Sequence, residues 1–359
     1  MASSQEKSTT VRTKSAVPRS TVKLDPRQRY APLVRPMFGA LERVAPAIGA
    51  RIAWKLWTTP SAPNATAVAR SREGGMGEVR TIRVELPDWT GRRPNRRDGS
   101  PKPPLSVPMR VELLGPADGP LVYLLHGWGG WRGQFAPIGR RLAADGFRVV
   151  LIDAPNHGDS GPGALGPDTT LLPEFSRVLA AVIREIGPAY AVVGHSVGAA
   201  SSALALLYGV QADKAVFIAP PIEPIAFTRT LAGMLGFGER IRIRMIRIGE
   251  RRTGVELAGL ALPTRLASWA DRTDRTEAAD LPPALVLHDA DDEVVPVAVG
   301  RLLAESWPGA RIVETSRLGH NKILRDEAVI ATVAEFIEAD TDTNGVRRHS
   351  DVNGATVAG

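Results

Sequence analysis

Cysteine is absent from all 359 residues. That excludes disulfides, thiolate catalysis and sulfur-ligated zinc, and it permits a reducing compartment. Long hydrophobic runs are missing too: charge interrupts every apolar stretch well before the roughly 20 residues a membrane span requires. The first residues also lack the apolar segment of a secretory signal. A soluble cytoplasmic protein is therefore expected, and no internal repeat is visible.

What is present is enough apolar material for a large core, 43% of the chain, together with a formal charge of +7 and a pI near 10.0. Such basicity suggests nucleic acid or an anionic membrane until it is located along the chain. Residues 1–30 carry seven Lys and Arg against Glu6 and Asp25, and residues 91–102 carry five against Asp98. The rest of the chain is slightly acidic. The basicity thus belongs to two stretches of flexible composition, residues 1–30 being expected as a disordered tail. No nucleic-acid motif accompanies them, and no nucleic-acid partner is expected.

Within residues 31–60, Val34, Phe38, Leu41, Val44, Ile48, Ile52 and Leu56 recur at helical spacing. This predicts an amphipathic helix, bent near Pro46, that packs on the following domain. Trp54, Trp57 and the cations around residues 33–57 would also suit a weak contact with a membrane surface. Glu78–Leu86 and Val107–Leu114 alternate as an antiparallel pair, joined by an Arg- and Pro-rich hairpin loop. After Pro120 the texture becomes short apolar runs, at Leu121–Leu125, Val149–Ile152, Tyr190–Val193, Ala215–Ile218, Leu285–Leu287 and Ile312–Val313. Helical patterns lie between most of them. That alternation predicts an α/β fold, a doubly wound and mostly parallel sheet of about eight strands. Residues 221–281 are too many for one crossover and predict a helical lid insertion, and residues 340–359 are expected as a disordered end.

Three segments carry chemistry. Ala191-Val192-Val193-Gly194-His195-Ser196-Val197-Gly198 is an apolar strand running into Gly-x-Ser-x-Gly. A sharp strand-to-helix turn of this kind lifts a serine hydroxyl above the sheet at a helix N-terminus and needs glycines on either side. Upstream, Leu124-Leu125-His126-Gly127-Trp128-Gly129-Gly130 opens a strand into a loop whose backbone N–H groups are free of bulky neighbours. With the nucleophile's follower, this predicts an oxyanion hole from the amides of Trp128 and Val197, with His126 and Gly127 bracing the loop. Downstream, His288-Asp289-Ala290-Asp291-Asp292-Glu293 follows an apolar run. Asp292 is preferred as the acid because it precedes the next helix, with Asp289 and Asp291 kept as alternatives. Of six histidines, His126, His157, His195 and His288 sit in motif strands or turns and His349 lies in the tail. His320 remains, in a flexible loop from which an imidazole can reach Ser196.

These segments, with Asp153-Ala154-Pro155-Asn156-His157-Gly158-Asp159-Ser160 between them, resemble the α/β-hydrolase superfamily over roughly Glu78 to Ala339. The resemblance implies Ser196 as nucleophile, Asp292 as acid, His320 as base and Trp128 and Val197 as oxyanion donors. It implies structural roles for His126, Gly127, Gly194, Gly198, Asp153 and His157. Asn156 departs from the usual glycine of that turn, and Asp289 from the glycine that often follows the strand-ending histidine. A serine at the elbow points to acyl chemistry on a small-molecule acyl substrate, with no metal or organic cofactor. Ester hydrolysis is the leading expectation. Thioester or carbon–carbon cleavage by the same triad, or a non-catalytic hydrolase-like binding protein, are the alternatives. The basic run Glu239–Ile248 sets one further question, whether its arginines face the pocket or solvent.

Overall fold

The computed structural model describes residues 26–61, 77–86, 104–271 and 280–339. The insert at 91–102, most of the basic tail and the end at 340–359 lie outside the described residues. The chain opens with helices α1 (Pro26–Val44) and α2 (Pro46–Thr58). The antiparallel strands β1 (Glu78–Leu86) and β2 (Leu105–Leu114) come next. Then come β3 (Leu121–Leu125), α3 (Ala136–Ala144), β4 (Arg148–Ile152), α4 (Leu172–Ile186), β5 (Ala189–His195), α5 (Val197–Leu207) and β6 (Ala212–Ile218).

Between β6 and β7 (Ala284–Asp289) the described residues include three helices, α6 (Pro224–Leu235), α7 (Glu239–Thr253) and α8 (Leu262–Ala270). It ends with α9 (Val297–Ser306), β8 (Ala310–Thr315), the short α10 (Gly319–Lys322) and α11 (Glu327–Glu338). The strands form one eight-stranded sheet in the order β1-β2-β4-β3-β5-β6-β7-β8, parallel from β4 to β8.

The central strands are apolar on both faces because both are covered. Along β3, Tyr123 and Leu125 join the core under α4 and α5, while Val122 and Leu124 join the opposite core under α3 and α11. This layering brings the C-terminal ends of β3, β5 and β7 side by side, where an open parallel sheet places its ligand crevice.

The N-terminal segment differs from its expectation in three respects. Helix begins at Pro26, inside the stretch expected as tail. The expected bend is a full break: Ala45 leaves helical geometry at φ −148°, and Pro46 starts α2 in the first-turn position where its missing N–H costs nothing. The break also re-aims α2. Val44, Ile48 and Leu56 of the expected apolar stripe are exposed, and α2 buries Gly49, Ala50, Ala53 and Trp54 instead. The small residues permit close approach to α7, where Ile241 fills the space a side chain on Gly49 would need. Phe38, Ala50, Ala53 and Trp54 form one apolar cluster with Leu231, Leu235, Ile241 and Met245 of α6 and α7. Among the described residues no helix is long and apolar enough to cross a membrane.

Candidate active site

Ser196 ends β5 and caps α5, with φ +52° and ψ −124°, a backbone region that a side chain enters only under constraint. The constraint is visible. A Cβ on Gly194 would lie 2.5 Å from the Ala199 Cα, and one on Gly198 would overlap the backbone oxygens of Leu125 and His126. The Ser196 amide donates to the Ile218 carbonyl at 2.8 Å, which ties the turn to β6.

His320 stands across from it. Its Nε2 lies 3.0 Å from Ser196 Oγ, and its Nδ1 lies 2.7 Å from Asp292 Oδ2. The Asp contact fixes the proton on Nδ1 and leaves Nε2 as the acceptor for the hydroxyl. Burial raises the Asp292 pKa, but the hydrogen bond and charge of His320 and the amides of Val295 and Val294 outweigh it, holding the carboxyl below its ordinary value. The sequence places His320 in a flexible loop; in the structure it belongs to α10, a single helical turn.

The position of that turn depends on residues that no local motif marks for the task. Asp289 Oδ1 accepts the Gly319 amide at 2.9 Å, and its Oδ2 accepts the Leu318 amide at 3.1 Å and the Thr315 hydroxyl at 2.7 Å. The departure from glycine at 289 is therefore the anchor of the histidine loop, whereas the Asp291 side chain accepts the Arg317 amide on the loop's exposed side. His195 Nε2 donates to the His320 carbonyl at 2.8 Å, and the two rings lie 4.8 Å apart. Burial drives the His195 pKa down to about 3, so this brace is neutral. His288 Nε2 donates to the Val295 carbonyl at 2.8 Å, closing the turn that carries Asp292.

The glycine-rich loop after β3 lies on the other side of Ser196. A Cβ on Gly127 would lie 2.9 Å from the Ser196 Cβ, so only glycine allows the approach. His126 Nδ1 donates to the Gly127 carbonyl at 2.7 Å, while its Nε2 accepts the Ala154 amide at 3.0 Å. His157 Nε2 accepts the Gly129 amide at 3.1 Å, its Nδ1 proton going to the Pro155 carbonyl at 2.8 Å. Burial lowers both rings, to about 4 and about 3, so both keep the neutral tautomers these contacts need. Asp153 Oδ1 accepts the Arg132 amide at 2.7 Å and holds the far end of the loop. Asn156 sits at φ +59°, the left-handed region that asparagine tolerates better than most residues, and its amide donates to the Thr169 carbonyl at 2.9 Å. The amides of Trp128 and Val197 have no acceptor among the described residues. One belongs to the residue after Ser196 and the other to the residue after Gly127, and unpaired backbone donors so placed are able to receive a developing oxyanion.

A cleft of about 890 Å³, counting its open mouth, is lined by Trp128 and by Val197, the residue after Ser196. Its walls are almost wholly apolar, with Leu171, Phe227 and Ile246 among them and Glu250 as the one ionisable side chain of the described lining. No arginine of α7 lines it. Arg244, Arg247 and Arg251 border a separate surface hollow with Arg51. Arg242 is buried instead against Glu239 and Thr228.

The chain is 29% identical over 261 residues to a pimeloyl-[acyl-carrier protein] methyl ester esterase of Chromobacterium violaceum, covering 64% of this chain and 97% of that protein. It is 39% identical over 90 residues to the protein of the same name from Xanthomonas campestris pv. campestris, which covers 25% of this chain and only 32% of that relative. Among solved structures, an esterase of Pyrococcus furiosus superposes with a TM-score of 0.50 at 16% identity, covering 78% of this chain and 98% of that one, a likeness of fold. The profile of the alpha/beta hydrolase family matches residues 122–332. On that match, which spans every strand from β3 to β8 and all three residues of the Ser196 line, the chain belongs to the alpha/beta hydrolase family.

Proposed function

We propose that this protein hydrolyses carboxylic esters through an acyl-enzyme on Ser196. The observation that carries the reading is the unbroken line from Ser196 Oγ through His320 to Asp292. In the proposed reaction Ser196 Oγ attacks the ester carbonyl as its proton passes to His320 Nε2. The carbonyl oxygen, now negative, takes the N–H groups of Trp128 and Val197. Asp292 keeps the imidazole oriented and stabilises the imidazolium. His320 then delivers the proton to the departing alkoxide as the C–O bond breaks. Water enters with His320 as base, and the acid leaves as Ser196 regains its proton.

The apolar walls suit an uncharged ester, with the helices between β6 and β7 serving as the lid over it. The names of the curated relatives point the same way. A fluorophosphonate probe tests the reading directly. The wild type is expected to label, and neither Ser196→Ala nor His320→Ala to do so. p-Nitrophenyl esters screened against acyl thioesters then identify the leaving group. A folded wild type that neither labels nor turns over any ester would overturn the proposal in favour of a binding protein. Turnover confined to thioesters would replace the ester with a thioester.

A further inference from the structure

We infer that α2, which precedes the family-matched core, supplies the subsite for the apolar chain of the ester, with Trp57 as its length-selecting residue and Trp54 as its fixed support. This rests on the esterase reading. The cleft next to Ser196 is lined by Trp128 and Val197 near the reacting centre, by Ile246 and Gly249 of α7, and by Trp54 and Trp57 of α2. The third wall is integral to the fold. A Cβ on Gly249 would lie 2.5 Å from Trp54 Cζ3, so the indole rests on the α7 backbone. Trp57 stands edge-on to Trp54, ring centres 5.9 Å apart, and is only half-buried where Trp54 is 3% exposed.

The end of α2 also reaches the oxyanion loop. The Thr170 amide donates to the Thr58 carbonyl at 3.0 Å, and the Thr59 hydroxyl donates to the Asp168 carbonyl at 2.9 Å. Ser61 Oγ lies 2.5 Å from where a Cβ on Gly129 would be. A chain bound against the two indoles therefore lies between α2 and the segment that carries the Trp128 amide. Large, rigid aromatic walls bury much surface at little entropic cost, which is how a cleft measures an alkyl chain.

The chemical class is set by charge. Glu250 is the ionisable group of the described lining, its Oε1 accepting the Leu257 amide at 3.2 Å; no arginine of α7 is in that lining, Arg252 standing over the Trp54 ring at 5.9 Å from its centre and Arg244, Arg247 and Arg251 bordering the separate hollow. A carboxylate at the far end of the chain would meet the Glu250 side chain, and no cation of the described lining is there to pair it. The subsite thus takes a medium-length, uncharged alkyl chain.

The full-length protein is assayed for kcat/KM on p-nitrophenyl acetate, octanoate and hemisuberate, as wild type, Trp57→Ala and Trp57→Phe. In Trp57→Ala the octanoate-to-acetate ratio is expected to fall about tenfold, the scale of losing one or two methylene contacts in a fitted pocket. Trp57→Phe, which keeps a ring in place and with it the packing of α2, gives an intermediate ratio. The wild type is expected to prefer octanoate to hemisuberate at least about tenfold. A ratio within about twofold of wild type in both variants, or a preference for hemisuberate, overturns the subsite while leaving the esterase reading intact. Absence of any turnover and of fluorophosphonate labelling in the wild type overturns the esterase reading itself.

Discussion

The surroundings of Ser196 and the helical cover of the cleft are held in different ways. At the ends of β3, β5 and β7 directional hydrogen bonds set the arrangement: Asp289 to two amides, His195 to a carbonyl, His157 to the Gly129 amide. In the cover, where α2 meets α7, the contact is shape, Trp54 on Gly249 and Ile241 against Gly49, and beside it Phe38 of α1 packs on Phe237, just ahead of α7, at 5.3 Å. The contrast suits the two tasks proposed for them. Proton transfer needs atoms fixed at hydrogen-bond distance, whereas admitting one alkyl chain over another needs only a wall of the right size. Changes at the sheet ends should therefore cost rate at little cost in stability, and changes in the cover should cost stability and selectivity.

The sharpest test is Asp292→Asn. An asparagine amide presents an N–H to His320 Nδ1 and reverses the tautomer, so Nε2 can no longer accept from Ser196. Steady-state ester hydrolysis is expected to fall roughly 10⁴-fold, with the melting temperature almost unchanged because Asn retains an oxygen for the Val294 and Val295 amides. A loss of stability in proportion to rate would break the contrast.

Glu174 is the polar exception behind the cleft wall formed by Leu171 to Pro173. Burial pushes its carboxyl up to about 7, against the amides of Ala164 and Leu165, while the ordinary value is 4.5. The folded form thus holds a proton that the unfolded chain releases. The associated stability is fully present below pH 4.5 and is lost as pH rises through 7, on the order of 3 kcal/mol in all. Urea midpoints at pH 5 and pH 8 should fall further apart in the wild type than in Glu174→Gln; parallel profiles would remove this residue from the account.

Gly249→Ala probes the cover itself. Alanine favours a helix by up to about 1 kcal/mol, yet its methyl group would overlap a rigid indole, an overpacking cost of about 1–3 kcal/mol. Overlap is expected to win, and thermal unfolding should shift downward; an unchanged or higher midpoint would show that α2 is loosely seated. Gly233→Ala in α6 is the matched control, since nothing lies within 4 Å of its added Cβ. It should raise stability slightly, by at most about 1 kcal/mol.

Much of the sheet and of the Ser196 line is legible in the sequence because both rest on local signals. Buried parallel strands are short apolar runs, and the serine turn demands glycines within two residues of Ser196. The anchoring by Asp289 is not legible, because its partners Leu318 and Gly319 lie some thirty residues away and donate through backbone amides that every residue has. The buried face of α2 escapes periodicity for a related reason. The helical spacing continues across Pro46, but the backbone break at Ala45 rotates the helix beyond it, and Gly49, Ala50 and Ala53 count as neutral until α7 is seen against them.

Local sequence was sufficient for the layered α/β sheet, the serine turn and the candidacy of His320 and Asp292, since strand hydrophobicity and turn sterics act over a few residues. Only the folded chain decides that Asp292 rather than Asp289 or Asp291 meets His320, that no arginine of α7 is among the residues lining the cleft, and that two tryptophans of α2 wall it. Those outcomes depend on which distant surfaces pack together, and packing is a property of the assembled chain rather than of any segment within it.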